Sequence, residues 1–160
     1  MKAEFLNPFL KSVVDVIGGT ISETPRRGKP FLRDKYPYTA QNVTIMVGIT
    51  GRLTGQLVLS MPETCAKGIA AIMLMEEKVE TLDEYAQSAL AEMANMITAN
   101  ATIGLGDVGC NCDITPPSVI TGKLMEISFR GDIKTIVIPL DISMGHVDVN
   151  LSLAETNGAR

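Results

Sequence analysis

Three stretches of the chain carry apolar residues at helical spacing, and most of the remainder alternates or runs apolar as strands do. In the first, Phe9, Leu10, Val13, Val16 and Ile17 share a face, which predicts a helix over 7–17. Asn7 suits its N-cap, Pro8 its first turn, and Gly18-Gly19 its stop. Pro62 opens a second helix, whose periodic apolar positions Cys65, Ile69, Ile72 and Met73 run to about Met75. The third and longest covers 81–103. Leu82, Ala86, Ala89, Leu90, Met93, Ile97 and Ala101 form its buried stripe, and Thr81 with Glu84 makes a capping box at its head.

Strand patterns occupy 42–49 and 53–61, joined at Thr50-Gly51-Arg52 as a hairpin. After the long helix come a short strand at 119–121, a second hairpin of 123–130 with 133–142 turning at Gly131-Asp132, and a last strand at 147–153. There Val147, Val149, Leu151 and Leu153 alternate with Asp148, Asn150 and Ser152, which predicts one wet face. The region between the first helix and the first hairpin holds Pro25, Pro30 and Pro37 and reads as loop or edge strand. Segregated helices and strands imply an α+β fold, a predominantly antiparallel sheet packed with long helices, in one domain over residues 1–160. The tail from 155 to 160 is expected to fray.

The long helix also has an informative polar face. At roughly 100° per residue, Ser88, Glu92, Asn95 and Ala99 fall within about 60° of one another, opposite the apolar stripe. A carboxylate and a carboxamide three residues apart, flanked by the small Ser88, Ala91 and Ala99, can enter another molecule's cleft without obstruction. These are the candidate site residues.

Composition removes several alternatives. The chain has 160 residues, a net charge of −4 and 46% apolar residues, with no run long enough to span a bilayer. Acidity argues against nucleic-acid binding, and a cytoplasmic location is the expectation. Five cations between Arg26 and Lys35 read as a solvated loop. Cys65, Cys110 and Cys112 lack disulfide or zinc spacing, and His146, the single histidine, lacks a histidine partner for ligation or relay. Gly104, Gly106 and Gly109 spell G-x-G-x-x-G, but a helix precedes and a strand follows, the wrong order for a pyrophosphate cradle; they read as the end of the helix. No nucleophile elbow or Walker loop occurs, and the methionines Met73, Met75, Met93 and Met96 read as core filler.

The motif Ser88-x-x-x-Glu92-x-x-Asn95 resembles the Asp/Ser-x-x-x-Glu-x-x-Asn signature of the CheC/CheX/FliY family of chemotaxis phosphatases. Leu82-Asp83-Glu84, Asn95-Met96, Asn7-Pro8-Phe9, Gly28-Lys29-Pro30, Gly48-Ile49-Thr50-Gly51 and Asp113-Ile114-Thr115-Pro116-Pro117 followed by Gly122 extend that resemblance in order along nearly the whole chain. CheC-type members carry two copies of the motif. Here the other formal match, Glu4-x-x-Asn7, has no residue four positions before Glu4, bulky Phe5 and Leu6 inside it and Pro8 behind it, and reads as an N-cap. One site, as in the CheX branch, is therefore expected.

The resemblance implies a phosphatase acting on the aspartyl-phosphate of a CheY-like response regulator. Asn95 would hold the attacking water and Glu92 would pair with a regulator lysine. The chain would need no cofactor of its own, since Mg²⁺ comes with the regulator. A homodimer is also implied, with strands at 43–49 or 133–142 as candidate pairing edges. Two other readings are a non-catalytic regulator-binding module of the same fold and a dimeric structural domain with a chance motif.

Overall fold

The computed structural model describes residues 2–128 and 133–156. In chain order its elements are α1 (Ala3–Ile21), β1 (Arg26–Arg27), β2 (Phe31–Arg33), β3 (Tyr38–Thr39), β4 (Val43–Gly51), β5 (Leu53–Met61), α2 (Glu63–Leu74), α3 (Glu84–Asp107), β6 (Cys112–Ile114), β7 (Ser118–Thr121), β8 (Glu126–Ile127), β9 (Thr135–Ile142) and β10 (Gly145–Glu155). The fold is α+β. Its main sheet has the order β1-β9-β10-β5-β4-β6, with β2 also on β9 and β7 also on β4, and every pairing is antiparallel.

The helices cover one face of this sheet. Phe9, Val13 and Ile17 of α1, Cys65 and Ile69 of α2, and Leu90, Met93 and Ile97 of α3 bury against Ile45, Val47, Leu57, Leu59, Val149 and Leu151. Two contacts fix α1 on α3. The buried Ser12 hydroxyl donates to the Ile97 carbonyl at 2.6 Å, and Gly104 lets Pro8 approach so closely that an added Cβ would lie 3.0 Å from the proline Cβ.

The hairpin β4–β5 and the last strand lie as the sequence predicts, and several details differ. α1 starts at Ala3 with Lys2 in the capping position, so Asn7 is no cap; Pro8 lies inside the helix, which continues through Gly18 and Gly19 to a left-handed Ser22. α3 is capped by Asp83, whose carboxylate accepts the Ala86 N–H at 3.0 Å, and Thr81 stands two residues before that cap. Gly104 and Gly106 lie within α3 and do not end it. Met93 is buried and Met73 partly so, whereas Met75 and Met96 are exposed. In the tail, Glu155 pairs with Leu53 and the Thr156 hydroxyl donates to the Gly51 carbonyl, so these two residues are held.

The second predicted hairpin does not form among the described residues. Its turn at Gly131-Asp132 lies outside them, and β8 pairs instead with β3 in a separate two-stranded sheet. That pairing belongs to a larger correction. The face of β10 expected to be wet is covered by segment 33–41. Asn150 is only 1% exposed and Ser152 4%. Arg33 donates to the Asn150 side chain, Tyr36 to Thr135, and Gln41 to both the hydroxyl and the carbonyl of Ser60. Alternation reports polarity, and here the polar positions meet polar side chains in place of water.

The expected pairing edges are also occupied. β4 carries β5 on one side and β6 with β7 on the other; β9 carries β10 on one side and β1 with β2 on the other. The basic stretch supplies those last two short strands, and the Arg33 guanidinium stacks 3.8 Å from the centre of the Tyr38 ring.

Candidate active site

The polar face of α3 is positioned by the opposite one. Asp83 starts the helix, Gln87 donates to the Leu82 carbonyl at 2.7 Å, and Leu90, Met93, Ala94, Ile97, Thr98 and Ala101 are fully buried. With that side locked, the helix cannot rotate, and Ser88, Ala91, Glu92, Asn95 and Ala99 are turned outward. Ser88 and Glu92 are exposed, while Ala91, Asn95 and Ala99 are half-buried.

Ser88, Ala91, Glu92 and Asn95 form one side of an open groove of about 530 Å³. Ala99, one turn beyond Asn95, is outside its lining. The other side consists of Ile114, Thr115, Pro116 and Pro117. Sequence reasoning used these four letters for the resemblance and gave them no place in the site. The usable signal was the proline pair between two short strands, which must leave the β4 ladder because proline has no N–H to donate.

Among the described residues, Glu92 is the one ionisable side chain in the groove lining. Among the described residues, neither its carboxylate nor the Asn95 carboxamide has a hydrogen-bond or ion-pair partner. The helix backbone fixes where both begin, and their polar ends are left available. No three His, Cys, Asp or Glu side chains gather as a metal-binding group among the described residues.

The remaining reactive groups lie elsewhere. Cys65 is on the buried side of α2, and burial pushes its thiol up to about 11. Cys110 and Cys112 bring their sulfurs to 3.9 Å at the far end of α3. His146 sits on the sheet's second face with Nδ1 2.8 Å from Asp141 and Nε2 2.9 Å from Asp148. The hydrogen bond to Asp141, reinforced by Asp148, raises its pKa above the ordinary histidine value.

The fold places Glu92 and Asn95 side by side along one wall of an open groove. Residues 43–141 match the family model of the chemotaxis phosphatase CheX. The chain belongs to that family, and is a phosphatase of the hydrolase class. It is 30% identical over 159 residues to the CheY-P phosphatase CheX of Thermotoga maritima, covering 99% of each chain. Among solved structures, a CheC-like superfamily protein from Shewanella sp. PV-4 is 30% identical, with a TM-score of 0.86, over 96% of this chain and 99% of that one. CheX in the CheX–CheY–BeF₃–Mg²⁺ complex from Borrelia burgdorferi is 26% identical, with a TM-score of 0.80, over 94% and 98%.

Proposed function

We propose that this chain hydrolyses the aspartyl-phosphate of a CheY-like response regulator in chemotaxis signalling, and that α3 enters the regulator's active site to do so. One observation carries the reading: among the described residues Glu92 and Asn95 stand unpartnered and three residues apart on a locked helix, in the wall of a groove that a partner can fill. The relatives named above support the substrate.

The chemistry asks little of the phosphatase. Water attacks phosphorus in line, the P–O bond to the regulator's aspartate breaks, and inorganic phosphate and the free carboxylate result. Such a transfer is catalysed mainly by positioning and charge stabilisation. Asn95 offers both a donor and an acceptor to the water, and being neutral it does not repel the phosphoryl group as a carboxylate would. Glu92 is the docking charge and pairs with a lysine of the regulator. Ser88, Ala91 and Ala99 are small enough to leave the approach open. Mg²⁺ belongs to the regulator.

The measurement is the lifetime of a phosphorylated CheY-like receiver domain with this chain, with its Asn95→Ala variant, and alone. Shortening by the first and not by the second is expected. Equal lifetimes with and without the wild-type chain would leave a binding module in place of an enzyme.

We also propose a homodimer. Its basis is the edge at β2, where Phe31 and Leu32 are about half-exposed beside an apolar groove of about 680 Å³ that also includes Leu6, Ile133 and Ile136. Light scattering at micromolar concentration checks this, and a monomer near 17 kDa would remove it.

A further inference from the structure

Opposite Asn95, the chain between β6 and β7 swings off the edge of β4. β6 pairs Ile114 with Ile49, β7 resumes by pairing Ser118 with Met46, and Thr115, Pro116 and Pro117 bridge the gap. A three-residue excursion on an edge ought to be loose, but this one is clasped. The Thr115 N–H donates to the Gly48 carbonyl at 2.9 Å, and the Gly48 N–H donates to the Thr115 hydroxyl at 2.9 Å. That hydroxyl reaches on to the Pro116 carbonyl at 3.3 Å. The clasp requires glycine, because a Cβ at residue 48 would lie 2.8 Å from the threonine Oγ1 and 2.9 Å from its Cγ2.

The result is a wall with unusual surface chemistry. Pro116 and Pro117 have no N–H, and the N–H and hydroxyl of Thr115 are already engaged within the chain. A molecule that covers residues 115–117 and expels their water therefore strands no backbone donor at these three positions, and an orphaned donor is the ordinary cost of burying a loop. Pro116 is exposed and Pro117 half-buried, so apolar surface is ready to be covered. The wall also shares its groove with Glu92 and Asn95, so any partner that receives α3 must place the rim of its cleft against it.

We propose that Thr115 is a positioning residue, which by clasping Gly48 holds Pro116 and Pro117 as a second docking wall for the regulator's active-site rim. The inference rests on the function proposed above. It divides the groove by role: Asn95 sets the rate, while Glu92 and the proline wall set the affinity. The rim that the wall accepts is an uncharged, apolar segment beside the phosphorylated aspartate.

The test follows hydrolysis of a phosphorylated CheY-like receiver domain at varied concentration by the full chain and four variants. Thr115→Val removes the hydroxyl clasp at nearly constant volume, and KM should rise about fivefold with kcat within about twofold of wild type. Thr115→Ser keeps the oxygen and should restore KM. Pro116→Arg sits on an exposed residue, leaves folding intact and should raise KM about tenfold; it carries the test if Thr115→Val melts early. Asn95→Ala runs beside them. Unchanged KM in both Thr115→Val and Pro116→Arg, with Asn95→Ala inactive, would overturn the wall and leave the proposed function standing. A fall in kcat alone in Thr115→Val would overturn the docking role. Full turnover by Asn95→Ala would remove the proposed function and this inference with it.

Discussion

Two helices of this chain carry Glu-x-x-Asn, and they pack against each other. On α3 the pair is Glu92 and Asn95; on α1 it is Glu4 and Asn7, which the structure places on the first turns of the helix and not at a cap. In both, the residues between are more buried than the glutamate, so each helix presents its pair outward. The surroundings differ. One turn past Asn95 stands Ala99; one turn past Asn7 stands Lys11, held in an ion pair with Asp15 at 2.6 Å. One turn before Glu92 is Ser88, and α1 has no helical residue one turn before Glu4. Asn95 faces the 114–117 wall across a groove, whereas Asn7 is followed by Pro8, pressed onto Gly104. Equal letters thus have unequal surroundings, and the difference lies in clearance and in the opposing wall.

The largest effect should come from Asn95→Ala. Truncating a single positioned transition-state group should lower kcat by about 10²-fold or more, measured as phosphoryl-regulator decay. Because the carboxamide makes no bond within the described residues, the melting temperature should hardly move. Glu92→Ala comes next. A docking charge that pairs only in the complex should raise KM by about tenfold or more, with kcat less affected; a change in kcat alone would reassign it.

Ser12→Ala weakens the tie between the two helices. Losing one buried hydrogen bond to the Ile97 carbonyl should cost about 1 kcal/mol in denaturant unfolding. The double variant Glu4→Ala with Asn7→Ala should leave kcat and KM within about twofold of wild type. A hundredfold loss there would make α1 a second site and undo the contrast.

The smallest effect is on stability and lies away from both helices. The raised pKa of His146 means that its ion pairs stabilise the folded state fully below the unfolded-state value of about 6.5. That contribution is lost as pH rises through the folded-state value. The melting temperature of wild type should therefore drop slightly relative to His146→Gln across that window. Parallel curves for the two proteins would show that the aspartates do not hold the charge.

The sequence declares what is repeated and local. The stripe of α3 is periodic over many turns, so Leu90, Met93, Ile97 and Ala101 identify the buried side and leave Glu92 and Asn95 on the other. The ends of helices are less readable because several cap residues compete: Asp83 and Thr81 lie two apart, and only the Asp83–Ala86 bond decides between them. The covered face of β10 was hidden for another reason. Asp148, Asn150 and Ser152 have the same polarity whether they meet water or Arg33 and Gln41. The wall at 114–117 was unreadable as part of the site because only the register of β6 and β7 on β4 carries it alongside α3.

The locking of α3 has a consequence for the time a complex can last. Its backbone order is already secured by folding, so on the proposed function an arriving regulator has only the Glu92 and Asn95 side chains of α3 to immobilise, at about 0.5–1.5 kcal/mol each. The contact can therefore be small and still form often. A small contact also separates readily, and an enzyme that serves many copies of a short-lived signal must let each one go. On that function, rigidity lets a small contact suffice, and it is the smallness of the contact that allows one client to be exchanged quickly for the next.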